Sequence, residues 1–87
     1  MQIRKDYVLK KLGMGYTAIP VGQAGQEFHG VIRLNGTGAF LWQSILDGAD
    51  TREKLIAAML EHFEELDEAT AGRDLDEFLA SIRRALV

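Results

Sequence analysis

The 87-residue sequence contains no cysteine, which excludes a disulfide framework, a thiolate zinc site and a cysteine nucleophile together. Histidine is almost as scarce. His29 and His62 are its two imidazoles, and neither has a second histidine at ligand spacing, so both read as surface or half-buried residues. Serine occurs only as Ser44 and Ser81, both in helical stretches, and no nucleophile elbow is present. The opening MQIRKDYVLKK lacks the apolar core of a secretory signal, and no later stretch approaches the about 18 apolar residues of a membrane span. These absences predict a soluble, cytoplasmic, non-catalytic chain with neither a cofactor nor a membrane partner.

What the sequence does have is a balanced composition, 47% hydrophobic and 26% charged, as expected of an ordered domain. Its length allows one domain, residues 1–87, that buries roughly 60–65% of the unfolded surface and leaves little room for a deep cavity. The net charge of −3 hides an asymmetry. Residues 1–34 carry five basic residues against two acidic ones, and the remainder five against eleven, so the halves stand at +3 and −6. An acidic ligand is better met by the first half.

Residues 7–12, YVLKKL, and 16–21, YTAIPV, flank Gly13-Met14-Gly15, the signature of a hairpin. Pro20 has no N–H to give a ladder and ends the second strand or exposes its edge. Phe28 to Leu34 reads as a third strand with Phe28, Gly30, Ile32 and Leu34 on one face and Val31 and Arg33 on the other. From Asn35 the period becomes helical. Phe40, Leu41, Trp42, Ile45 and Leu46 form a first helix stopped by Gly48, with Trp42 as core. Thr51 caps a second helix with Leu55, Ile56, Met59, Leu60 and Phe63 inward, ending near Glu64. The acidic segment 64–74 reads as a mobile connection. Asp74 and Glu77 imitate a capping box opening a third helix, whose stripe is Leu75, Phe78, Leu79, Ile82 and Leu86. Strands first and helices after give an α+β fold, winged helix-turn-helix-like, with a three-stranded antiparallel sheet followed by three helices.

Two motifs mimic ligand sites without meeting their spacing. The junction LNGTGAFLW has Gly36 and Gly38 but Leu41 where a third glycine belongs, and no P-loop lysine follows, so Asn35 and Thr37 are turn and cap residues. The acidic run Glu61–Glu77 does not follow the spacing of a calcium loop. A winged helix that reads DNA is the rival from another class, but Arg52 and Lys54 stand among Glu53, Glu61, Glu64 and Glu65, which disfavours phosphate contact.

Residues 31–87 resemble the PqqD family, also called the RiPP recognition element. The likeness rests on RLNGTGAFLWQSILDGADTREKLIAAML, where Leu34, Asn35, Thr37, Gly38, Trp42, Gly48, Thr51 and Leu55 match the family pattern. It continues in DLDEFLASIRRALV through Asp74, Phe78, Leu79 and Ile82. The ALV ending and the FEELDEATAG connection depart from that pattern.

The resemblance implies a non-catalytic domain that binds the leader of a ribosomal precursor peptide and presents it to a separate modifying enzyme. That enzyme is often a radical SAM protein, as in PQQ biosynthesis. The leader would add as a strand along Val31, Ile32, Arg33 and Leu34, facing a wall of Leu75, Phe78, Leu79, Ile82 and Arg83. Arg33 and Arg83 would meet acidic residues of the peptide. A third reading keeps the exposed edge for a second copy, as a homodimer.

Overall fold

The computed structural model describes residues 1–22 and 30–87. Strand β1 spans Tyr7–Leu12 and β2 spans Gly15–Pro20. They pair antiparallel from Tyr7↔Pro20 to Leu12↔Gly15, and Gly13 turns the hairpin at φ 62°. Strand β3, Ile32–Leu34, pairs with Tyr16 to Ala18 of β2, giving the order β1-β2-β3. Pro20 therefore lies beyond the stretch of β2 that β3 covers, where its missing N–H leaves no ladder bond unmade. The third strand is shorter than its pattern suggests. Gly30 and Val31 lie outside it, and the proposed start at Phe28, like His29, falls outside the described residues.

Helix α1, Gly36–Leu46, begins where β3 stops, because Asn35 is extended and its Oδ1 accepts the Gly38 N–H at 2.8 Å. It ends at Gly48, whose φ of 112° is a conformation that glycine alone adopts easily. Helix α2, Arg52–His62, is capped by Thr51, which accepts the Lys54 N–H. Its last residue comes two before the expected Glu64, and Glu65 then turns the chain at φ 64°.

Helix α3 corrects the sequence reading. It spans Glu68–Ser81 with Asp67 as N-cap, so Asp74 lies in mid-helix and residues 68–74 are not a mobile loop. The local reason is that Asp67 Oδ1 accepts the Thr70 N–H at 2.7 Å, and Glu68 lies favourably in the first turn. Small residues then bring the helix close to its neighbours, with Ala71 and Gly72 buried. A short 3₁₀ turn, Arg83–Ala85, follows. The ends of the chain are clasped by an Ile3↔Leu86 bridge.

The core lies between the sheet and the three helices. Leu41, Trp42, Leu55, Met59, Leu75 and Ile82 are its largest fully buried side chains, and the Trp42 ring meets Tyr7 edge-on at 6.5 Å. Burying such side chains is worth about 1.5–3 kcal/mol each, so Trp42 serves packing, as its pattern indicated. Among the described residues no helix is long and apolar enough to cross a membrane.

Candidate functional site

Strand β3 has β2 on one side only, and its other edge faces α3. Between them runs a groove of about 280 Å³. Arg33 and Leu34 form its sheet side, Asn35 and Thr37 close one end, and Asp74, Glu77, Phe78 and Ser81 form the helix side. The helix residues recur at i, i+3, i+4 and i+7, so they make one stripe along α3.

Backbone alternation decides what this edge offers. In an antiparallel ladder both groups of a residue point to one side and successive residues alternate. The Leu34 carbonyl faces β2, lying 3.7 Å from where a Cβ on Gly15 would stand. The Val31 carbonyl faces the other way and accepts from Arg84 Nη2 at 3.1 Å. Arg33, between them in alternation, therefore directs its N–H and C=O away from β2, and its side chain is exposed. These are open main-chain partners of the kind that an added strand uses.

The site residues read from the sequence divide into three groups. Val31 and Arg33 are exposed along the edge, while Ile32 and Leu34 turn their side chains into the core. On the helix, Leu75 and Ile82 are fully buried and Phe78 is 6% exposed. Leu75 and Ile82 thus stand behind the wall rather than on it, because the apolar stripe that sequence periodicity finds is the one the core consumes. Leu79 is half-buried against the core. Arg83 is exposed beyond the groove, in a shallow hollow with Ala80, Ser81 and Arg84. Sequence reasoning missed Asp74, Glu77 and Ser81 as lining and Arg84 as a contact of the edge. The spacing 74, 77, 78, 81 is the signal that could have found the first three.

Other chemistry is weakly represented. The hydroxyls of Ser44 and Ser81 donate to the carbonyls of Phe40 and Phe78 within their own helices. His62 stacks on Phe40 with ring centroids 4.2 Å apart. No group of three His, Asp or Glu side chains able to hold a metal ion occurs among the described residues. Arg52 pairs with Asp76 at 3.2 Å, an interaction that raises its pKa, and Lys54 pairs with Asp50 at 3.1 Å, which lowers the carboxyl's. Both basic residues of α2 thus already have carboxylate partners.

Comparison with known proteins places this geometry. No curated protein matches the chain. Among solved structures it is similar to the one described as TbiB1 in complex with the TbiA(beta) leader peptide. That likeness has a TM-score of 0.73 at 20% identity, and covers 99% of this chain and 94% of the other. It shows the fold, an α+β arrangement of three antiparallel strands followed by three helices. A family model, Coenzyme PQQ synthesis protein D (PqqD), matches residues 22–86. With the match running from before β3 to the last turn, the chain belongs to the PqqD family.

Proposed function

We propose that this domain is a non-catalytic carrier that binds the leader segment of a precursor peptide as a further strand on β3 and presents it to a separate modifying enzyme. The observation that carries the reading is the open edge at Arg33, whose N–H and C=O point into a groove walled by α3. Main-chain bonds there supply affinity while alternate side chains of the peptide reach the groove and supply selectivity. The similar TbiB1 structure contains a leader peptide, which supports the same class of ligand here. Membership of the PqqD family favours a radical SAM enzyme as the partner, with PQQ formation as one such pathway. The carboxylate partners of Arg52 and Lys54 favour a peptide over duplex DNA, since phosphate affinity comes from cations free to neutralise it.

Calorimetric titration with synthetic leader segments of precursor peptides encoded beside the gene tests this. Binding of micromolar order or tighter is expected, with loss in Arg33→Pro, which deletes the outward N–H, and weakening in Arg33→Glu. Failure of every segment to bind, with salt-sensitive binding to duplex DNA or self-association instead, would overturn the reading.

A further inference from the structure

The helix side of the site changes sign along its length, acidic at Asp74 and Glu77 within the groove and basic at Arg84 in the hollow beyond it. Helix α3 runs beside β3 so that Asp74 and Glu77 lie at the Leu34–Asn35 end. Beyond the groove, from the neighbouring hollow, Arg84 lies over Gly30 and Val31. Its Nη2 donates to the Val31 carbonyl at 3.1 Å, and a Cβ on Gly30 would sit 3.4 Å from the same nitrogen.

Arg84 is exposed, and its bond to the neutral Val31 carbonyl uses one of five donors. Arg83 stands beside it on the rim of the hollow. The Val31 carbonyl is also the next acceptor along the edge from Arg33, so a peptide strand reaching it meets the guanidinium there.

We infer, on the basis of the peptide-binding reading above, that the groove selects a peptide of opposed charge. An acidic side chain meets Arg84 at the Gly30–Val31 end, and a basic side chain meets Asp74 and Glu77 at the Leu34–Asn35 end. Four positions separate Val31 from Asn35 along the edge, and Asn35 is still extended, a span of about 13 Å. An extended strand covers that in four residues at about 3.3 Å each. Two side chains must be an even number apart to face the same wall, so the spacing is four. Arg84 acts as the register mark, because sliding the peptide by one residue turns both charges away from α3.

The test is selection of an mRNA-displayed library of random 12-residue peptides on the 87-residue chain, followed by titration of the enriched peptides. The expected result is an acidic and a basic residue four positions apart. Arg84→Glu should weaken such a peptide about tenfold, with recovery when the peptide's acid becomes lysine. Glu77→Lys should do the converse at the other end, so the result does not hang on one variant. Enriched peptides that lose binding in Arg33→Pro yet show no opposed pair would overturn the charge rule while leaving strand addition standing. Selection of no peptide, or of peptides indifferent to Arg33→Pro in a folded variant, would overturn both.

Discussion

Asn35 Oδ1 accepts the Gly38 N–H at 2.8 Å, and with the Asn35 carbonyl, which accepts the Ala39 N–H at 2.9 Å, it ties the end of the open strand to the start of α1. The residue that stops β3 also satisfies an otherwise unpaired amide of the helix. Asn35→Ala is expected to cost about 1 kcal/mol of folding stability. Chemical denaturation measures this, and an unchanged midpoint would show that water replaces the cap without loss.

Leu75 is fully buried beneath the groove. Leu75→Ala should therefore act through folding, lowering stability by about 2–5 kcal/mol. Phe78 is nearly as buried at 6%, so its truncation mixes a stability loss with any loss of peptide contact. Changes at exposed Arg33 separate the two. A Leu75→Ala protein as stable as the wild type would contradict this placement.

Gly48 closes α1 at φ 112°, where a Cβ is strained although nothing stands within 4 Å of it. Gly48→Ala is expected to destabilise by about 1–2 kcal/mol through the backbone alone. Thermal melting of the variant would expose an error if its midpoint stayed or rose.

The carboxyl of Asp67 is held below its ordinary value of 3.8, first by the backbone hydrogen bond from Thr70. A carboxyl with a depressed folded pKa binds its proton less readily in the folded state. Its contribution is complete above the ordinary aspartate range and is lost as pH falls through the depressed value. Asp50, lowered first by its hydrogen bond from Lys54, acts in the same direction. Asp67→Asn keeps an accepting oxygen but does not titrate, so melting temperature should fall less steeply on the acid side than in the wild type. Superimposable pH profiles would refute the assignment.

The hairpin, the caps Asn35 and Thr51, the stop at Gly48 and the burial of Trp42 were all legible because each is a local or periodic signal. The start of α3 was not. Asp74-x-x-Glu77 imitates a capping box, but Asp67 already caps the chain with Thr70, and the buried Ala71 and Gly72 fix the first turns against the rest of the molecule. Small residues carry little hydrophobic signal, so a turn that packs through them reads as a loop.

The candidate site was legible on its strand side for the same reason of period. Alternation alone put Val31 and Arg33 opposite Ile32 and Leu34, and the exposed and buried residues follow it. On the helix side, periodicity points to the apolar stripe, and Leu75 and Ile82 on that stripe are core. The groove takes the adjoining stripe of Asp74, Glu77, Phe78 and Ser81, and the strand edge beyond it is met by Arg84, 53 positions from the carbonyl it contacts. The sequence by itself determined the order of elements, the caps of α1 and α2 and the family, since these depend on neighbours within a few residues. Only the tertiary structure decided which face of α3 meets the strand edge, because that depends on how the core is filled and on contacts between residues far apart in the chain.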